Sequence, residues 1–409
     1  MAYQKTVLPN GIRVVTEKVS QVHSVALGVC ITRGSRDENP KENGLSHFIE
    51  HLFFKGTEKR SAKDIAIEMD EIGGELNGFT TREFTYYYAR FLDEHLDKVW
   101  KLIADILKNS KFDPAQIELE RNVILEEIKS FNDSPSDQAL HLLSHCLFEH
   151  HPLSWSIMGS EKNIKKFSRK DILKFQQRHY RGPNIIIGAS GNLEHKWLVD
   201  LVHASLDFEG KAEIREKSEF QKTGPKLKKL KKNDISQVHV TLGTINIEYK
   251  NKLRYPWLVL NILLGDGMSS RLFQRLREKE ALVYEITSFL ELLSDTGVFG
   301  IYFVTDPKNV QTAIECIWDE FSRLNKNGLE PEELQRTKEH LKGNLMLSLE
   351  SMTSRMARLL NNEMHLERNI SLDETIENIE KVDEGVLRSI AEKYLVPEIF
   401  SISKVGPQV

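Results

Sequence analysis

The order of apolar and polar positions divides the first half of the chain into strands and helices. Residues 22–32 alternate apolar and polar side chains, as a half-buried strand does, and Asn10-Gly11 joins two short strands in a tight turn. Ser61 with Asp64 marks the start of a helix that stops at Gly73-Gly74. The full prediction is strands at 7–15, 22–32, 76–90 and 184–191, and helices at 45–54, 61–73, 92–107, 113–128, 137–148 and 168–180.

The second half of the chain repeats this outline. The pattern of apolar and polar positions there predicts a strand at 236–244, helices at 255–264 and 269–281, a two-stranded stretch at 284–305, and long helices at 307–324 and 330–361. Because the order of elements matches that of the first half, we interpret the chain as a duplicated α+β architecture. The expected domains are residues 1–210 and 236–409, joined by a linker at 211–235.

The predicted linker contains a lysine-rich segment, in which the periodic pattern lapses. Five lysines lie between positions 226 and 232, interleaved with Leu227 and Leu230. A nucleic-acid patch is one interpretation, but the region offers no aromatic stacking residue beyond Phe220. A solvated linker is the better interpretation, and the small net charge of −4 also gives no support for a nucleic-acid partner.

Composition narrows the class of protein further. The chain has 409 residues, of which 40% are hydrophobic and 28% charged, as in a water-soluble globular protein. Its three cysteines are far apart and form no CxxC pair, which favours a reducing compartment over a cysteine metal site. There is no apolar leader and no run long enough to span a membrane, so we expect a cytoplasmic protein with no membrane partner.

Candidate chemistry is concentrated in the helix that begins near Leu45. It carries the pattern His47-Phe48-Ile49-Glu50-His51, and residues four apart lie one above the other on a helix. His47 and His51 can therefore point two imidazoles at one metal ion, with Glu50 beside it to take a proton from water. The helix is apolar on most other sides, and buried imidazoles and carboxylates cost free energy unless they are satisfied. This favours a metal site over an ordinary solvated face.

The third protein ligand has to come from another element. We expect Glu127, because helical spacing places it on an interior face shared with Val123, Ile124 and Phe131. A second histidine pair, His141 and His145, has the same spacing but no carboxylate placed as Glu50 is. A ligand role for that pair stays open beside the ordinary alternative of core or surface histidines.

These residues and four further stretches resemble the pitrilysin/insulinase family of metallopeptidases, close to its processing-peptidase branch. The helix continues as Phe53-Phe54-Lys55-Gly56-Thr57, and the other matches are the stretches at 73–83, 120–128 and 151–159, and at 270–284. Gly78 departs from the pattern, because alanine is more usual at its position. The resemblance implies two homologous domains, each a mostly antiparallel sheet packed with helices.

The resemblance also implies roles for individual residues. His47, His51 and Glu127 would hold one Zn²⁺ per chain, and Glu50 would act as general base. Glu120 would orient a ligand histidine. An edge strand would bind extended peptide by β-augmentation through Asn77, Gly78, Phe79, Thr80 and Thr81.

Arg277 and Tyr284 match the family's arginine/tyrosine pair, which would contact a substrate carbonyl and the developing oxyanion. From the residues alone, a helix-end arginine and a core tyrosine are the simpler interpretation. Long family members carry two such halves on one chain and close them around the peptide. This chain is about half that length, so we expect a homodimer that forms a closed chamber, in which the pair completes the partner's zinc site.

Three functions are compatible with these features to different degrees. The first is a zinc endopeptidase acting on unfolded or extended peptides. The second is a non-catalytic or regulatory subunit of a processing-peptidase-like heterodimer, although such subunits typically lose the histidines or the glutamate that this chain retains. A zinc hydrolase of non-peptide substrates is the third, and the predicted peptide-binding strand disfavours it.

Overall fold

The computed structural model describes residues 2–208, 210–211, 215 and 224–409. The described chain forms eleven strands: β1 Ala2–Val7, β2 Arg13–Lys18, β3 Ser24–Ile31, β4 Glu75–Thr80, β5 Thr85–Leu92, β6 Ile185–Gly191, β7 Leu227–Lys231, β8 Val238–Asn246, β9 Val283–Leu292, β10 Gly297–Thr305 and β11 Ser401–Gly406.

Fourteen α-helices lie between these strands in the described chain: α1 Leu45–Phe53, α2 Ala62–Asp70, α3 Leu96–Asn109, α4 Pro114–Asp133, α5 Pro135–Leu147, α6 Glu161–Ile164, α7 Arg169–His179, α8 His195–Ser205, α9 Arg254–Gly265, α10 Val310–Asn327, α11 Pro331–Ser348, α12 Met352–Leu366, α13 Leu372–Glu380 and α14 Glu384–Tyr394. A π-helical segment, Phe273–Lys279, precedes β9.

The described chain divides into two compact units. The first holds Met1–Lys129, Trp155–Glu216 and Leu347–Asn369, and the second holds Ser130–Ser154, Lys217–Met346 and Ile370–Val409. Each unit has its own apolar core, with Trp100 buried in the first and Trp257 in the second. The α+β class with two domains is therefore confirmed.

Each unit contains one twisted sheet of related topology. The first sheet has the strand order β1-β2-β6-β3-β5-β4, and the second has the order β7-β11-β8-β10-β9. All neighbouring strands are antiparallel except β2 with β6 and β7 with β11. The matching order supports the predicted duplication, and it leaves β4 and β9 as edge strands in equivalent positions.

In each unit, one helix that is distant in sequence covers the sheet. α12 packs on β2, β3 and β6 in the first unit, and α5 packs on β7, β8 and β11 in the second. Glycines make room for both helices: a Cβ at Gly28 would lie 2.5 Å from Met356 Sδ, and one at Gly243 would lie 2.6 Å from Leu143 Cδ2. The compact units therefore differ from the domains expected at 1–210 and 236–409, because α5 belongs to the second unit and α12 to the first.

Three predicted elements differ from the structure. The stretch at 76–90 is a hairpin of β4 and β5, because the Thr81 hydroxyl accepts the backbone N–H of Glu83 and of Phe84 and so closes a turn. The helix at 330–361 is interrupted between α11 and α12, where the Ser351 hydroxyl caps α12 by accepting the N–H of Ser354.

The third difference lies in the predicted linker at 211–235. Its lysine-rich end forms β7, which pairs in parallel with β11 at the edge of the second sheet. The side chains of β7 alternate between exposed and half-buried, as those of an edge strand do, although Leu227 and Leu230 lie three residues apart and so on opposite faces of the strand. Residues 212–214 and 216–223 of the linker lie outside the described residues.

Among the helices of the described chain, none combines the length and the apolar character that crossing a membrane requires. The cytoplasmic location stays a prediction from the sequence.

Candidate metal centre

The start of α1 is fixed by a buried carboxylate. Oε1 of Glu38 accepts the backbone N–H of Ser46 at 2.7 Å, and Oε2 accepts that of Gly44 at 2.8 Å. Gly44 has a φ of 106°, which favours glycine, and a Cβ there would lie 2.8 Å from Met158 O. Because free N–H groups at a helix start need acceptors, Glu38 takes the place of the usual N-cap side chain and fixes the first turn, which carries His47.

Three of the predicted ligands lie together. Suitable donor atoms of His47, His51 and Glu127 all lie within 4.8 Å of one another, the one such group found among the described residues. Oε2 of Glu127 lies 3.7 Å from His47 Nε2 and 3.6 Å from His51 Nε2. Two imidazole nitrogens and one carboxylate oxygen form the donor set of an open catalytic zinc site, so these residues fit the ion.

The two histidines have different surroundings at their second ring nitrogen. His51 Nδ1 lies 3.1 Å from Oε2 of Glu120, a buried carboxylate that can only accept, so Nδ1 carries the proton and Nε2 is free to bind metal. His47 Nδ1 is buried and has no hydrogen-bond partner among the described residues. Burial lowers the pKa of His47 to about 3, helped by nearby His51, so its imidazole is neutral and available as a ligand.

Glu50 lies on the same helix and is buried beside this cluster. Burial raises the pKa of its carboxyl, a hydrogen bond from Thr80 opposes that rise, and the charges of His51 and Glu127 also act on it. The Thr80 hydroxyl donates to Oε2 of Glu50 at 2.9 Å. A carboxylate with a raised pKa is suited to take a proton from water and to release it again.

The predicted substrate strand is the free edge of the first sheet. Asn77, Gly78, Phe79 and Thr80 lie in β4, whereas Thr81 lies beyond its end in the turn. Oδ1 of Asn77 accepts the N–H of Gly78 at 2.8 Å, and Phe79 is 41% exposed. An edge strand keeps unpaired backbone groups on one side, which is the requirement for β-augmentation.

Gly78 brings this strand close to the general base. A Cβ at position 78 would lie 3.3 Å from Glu50 Cγ, 3.2 Å from Phe54 Cε2 and 3.1 Å from Tyr86 O. A cavity of about 450 Å³ opens beside β4, and its lining is Phe54, Ala62, Ile65, Ala66, Met69, Asp70, Gly74, Glu75, Leu76, Asn77 and Tyr88.

The interior face of α4 differs from the prediction. Val123 is 44% exposed and the side chain of Glu127 is 40% exposed, whereas Ile117, Glu120, Ile124 and Ile128 are buried. The buried stripe keeps Ile124 of the expected face but includes Ile128 in place of Val123, and Glu127 flanks it. The expectation of a buried acid at position 127 was wrong, because α4 packs through Ile117, Ile124 and Ile128 and leaves Glu127 at the margin of its packed face.

Arg277 and Tyr284 belong to the second unit, before and at the start of the edge strand β9. The Arg277 guanidinium lies 4.7 Å from the centre of the Phe273 ring. Tyr284 is 72% exposed, which excludes the alternative of a core tyrosine. Their catalytic role stays a prediction.

The second histidine pair gives no metal site in the described chain. The rings of His141 and His145 pack edge to face at 4.6 Å, and the Phe131 ring lies 5.6 Å from His141. No third metal-binding side chain joins them among the described residues, where the one group found is that of His47, His51 and Glu127. The pair is a packing feature of α5.

Sequence reasoning missed three contacts that organise the centre. Glu38 caps α1, the Thr80 side chain contacts Glu50, and Lys55 contacts Glu120 at 2.9 Å. None of these pairs has a helical or strand spacing, so periodicity gave no signal for them. Lys55 and Thr80 lie within stretches that carry the family resemblance, which is the one signal that could have drawn attention to them.

The fold and the cluster define a class of protein: a duplicated α+β metallohydrolase with an HxxEH helix in its first half. Comparison with known families agrees with this. Residues 13–161 match the family model "Insulinase (Peptidase family M16)", and residues 166–341 match the model "Peptidase M16 inactive domain".

Full-length relatives extend the match to almost the whole chain. The chain is 37% identical to the "uncharacterized zinc protease YmxG" of Bacillus subtilis, over 97% of both sequences. It is 34% identical to an "uncharacterized zinc protease" of Streptomyces coelicolor, over 99% of this chain and 89% of the relative. The chain therefore belongs to the insulinase family of zinc proteases.

Solved structures share the fold. A protease from Helicobacter pylori superposes with a TM-score of 0.92 at 22% identity, covering 99% of both chains. A Pseudomonas fluorescens structure described as a peptidase M16 inactive domain superposes with a TM-score of 0.91 at 20% identity, covering 100% of this chain and 99% of the other.

Proposed function

We propose that this chain is a zinc-dependent endopeptidase that cleaves extended or unfolded peptides. The observation that carries the proposal is the hydrogen bond between Thr80 and Glu50, because it joins the edge strand to a carboxylate beside the three-ligand cluster. A peptide added to β4 would lie against the general base. Binding through backbone groups is largely independent of sequence, which suits unfolded substrates.

The chemistry divides among the residues of the first unit. His47, His51 and Glu127 would hold one zinc ion, which supplies Lewis acidity and makes water a stronger acid. The Glu50 carboxylate takes the proton from the attacking water and delivers it to the leaving amine. Glu120 keeps His51 in the tautomer with a proton on Nδ1.

Substrate side chains would be selected beside β4. The exposed walls of the cavity there are polar and apolar in similar measure. Phe54, Ile65 and Met69 belong to the apolar part, which can receive a large apolar side chain of a bound peptide. We expect peptides with such a residue close to the cleaved bond to be preferred in a mixed pool. Mass-spectrometric mapping of the cleavage products tests this.

We further propose a homodimer that forms a closed chamber, in which Arg277 and Tyr284 of one subunit complete the zinc site of the other. The support is the exposure of Tyr284 and the family relation of the two halves. Mixing Glu50→Gln subunits with Tyr284→Phe subunits tests the sharing: each variant alone is expected to be inactive, and mixed dimers to regain activity. If the mixture stays inactive at every ratio, the sharing is refuted.

The experiment for the main proposal compares hydrolysis of a quenched peptide by the wild-type chain and by Glu50→Gln, with zinc content measured on both. Loss of hydrolysis with zinc retained is expected. Equal hydrolysis would refute the role of Glu50. Zinc binding with no hydrolysis of any peptide by the wild type would favour the second candidate, a non-catalytic or regulatory subunit of a heterodimer.

A further inference from the structure

The buried carboxylate of Glu120 has both of its oxygens occupied by different partners. Oε2 accepts from His51 Nδ1 at 3.1 Å, and Oε1 lies 2.9 Å from the Lys55 ammonium. The Glu120 side chain is only 7% exposed. A buried carboxylate is costly without a counter-charge, and Lys55 is the cation that supplies it.

The backbone around Lys55 is held in one conformation. The Lys55 N–H donates to Leu52 O at 3.1 Å, and the next residue, Gly56, has a φ of 118°. Thr57 is fully buried, and its hydroxyl donates to Oδ2 of Asp105 at 2.7 Å. This turn directly follows α1, so the lysine stem starts from a fixed point and reaches back to α4.

Both charge-assisted contacts of Glu120 come from the same part of the chain. His51 lies on α1 and Lys55 in the turn directly after it, whereas Glu120 lies on α4. The carboxylate is therefore held between two donors of the same short segment. A carboxylate with both oxygens bound cannot rotate away from His51 without breaking the contact to Lys55. His47 lacks any such support among the described residues, since its Nδ1 has no partner.

We propose that Lys55 is a positioning residue of the metal centre, which fixes the Glu120 carboxylate and through it the orientation of the His51 ring. The inference rests on the proposed function, since it assigns His51 to a zinc ion. It adds a residue that, in the described part of the chain, forms no hydrogen bond or ion pair with the proposed metal ligands or the substrate strand. Its role is to preorganise the metal site.

The test measures the zinc dissociation constant by competition with a chromophoric chelator. Lys55→Met keeps most of the aliphatic stem and removes the charge, and we expect zinc binding to weaken about tenfold, in the range found for outer partners of metal ligands. We expect the same weakening of zinc binding in Lys55→Gln, whereas Lys55→Arg, which keeps the positive charge, should retain most of the affinity. Lys59→Met is the matched control. Lys59 is exposed and makes no ion pair among the described residues, so the zinc affinity of this variant should stay within twofold of the wild type.

A double-mutant cycle separates this role from general stability. In a Glu120→Gln background, Lys55→Met is expected to add no further loss of affinity, because its effect passes through the carboxylate. An equal loss with and without Glu120 overturns the inference, and so does unchanged affinity in Lys55→Met. If the wild-type chain itself binds no zinc, the proposed function fails. If the wild type binds zinc and Lys55→Met binds it equally well, the inference alone fails, so the two failures are distinguishable.

Discussion

Thr80 offers the sharpest test of how the edge strand and the general base cooperate. Its hydroxyl donates to Oε2 of Glu50 at 2.9 Å, and the carboxylate is buried. Thr80→Val removes the donor and keeps the branched shape of the side chain, so the strand keeps its backbone geometry. The change therefore acts on the orientation of Glu50 and leaves the three metal ligands untouched.

The size of the effect follows from the charge on the acceptor. A hydrogen bond to a charged group contributes about 1.5–3 kcal/mol, and each 1.36 kcal/mol of lost transition-state stabilisation is tenfold in rate. If the bond serves to hold Glu50 in its reactive position, kcat for a quenched peptide should fall about 10- to 100-fold. KM should change little, because β-augmentation uses backbone groups that the substitution leaves in place.

The assay compares Thr80→Val with Thr80→Ser, which retains the hydroxyl and is expected to stay within a few-fold of wild type. Zinc content is measured on both, and it should be unchanged. A kcat for Thr80→Val within twofold of wild type would show that the hydroxyl does not position Glu50. A rise in KM with constant kcat would mean that Thr80 acts in substrate binding alone.

Three further predictions follow from the same contacts. Zinc at a thousandfold excess over its dissociation constant should stabilise the apoprotein against urea by about 4 kcal/mol, an effect that His47→Ala abolishes and His145→Ala retains. Burial, and to a smaller extent the charge of Arg178, lowers the pKa of His179 to about 4. Between pH 6.5 and 4 the unfolded chain therefore binds more protons than the folded chain, and the stability of the fold decreases as the pH drops through that window. In urea unfolding, the free energy of unfolding of the wild type should fall by about 3 kcal/mol more between pH 7 and pH 4 than that of His179→Gln. Gly78→Ala should be tolerated with a shift of a few tenths of an ångström, whereas Gly78→Val should lower kcat more than 100-fold, since its methyl groups would displace the strand or Glu50.

The sequence was informative where chemistry depends on local geometry. His47, Glu50 and His51 lie on one helix, so their relation follows from 3.6 residues per turn. The exposure of Glu127 was mispredicted, because the orientation of α4 is set by its packing and not by its own sequence. Contacts such as that of Thr80 with Glu50 depend on how β4 packs on α1, which no period in the sequence encodes.

The two halves of the chain separate what folding requires from what chemistry requires. The strands β3 and β8 occupy equivalent places, and each carries a glycine, Gly28 or Gly243, beneath the helix that covers its sheet. The counterpart of α1 in the second half is α9, which contains no histidine and is nevertheless buried in a complete core. Since the second unit forms its core and sheet without metal-binding residues on this helix, the ligands in the first unit are not needed to specify the fold. Variants of His47 and His51 should therefore remain folded at neutral pH, and their loss of zinc can be assigned to the site.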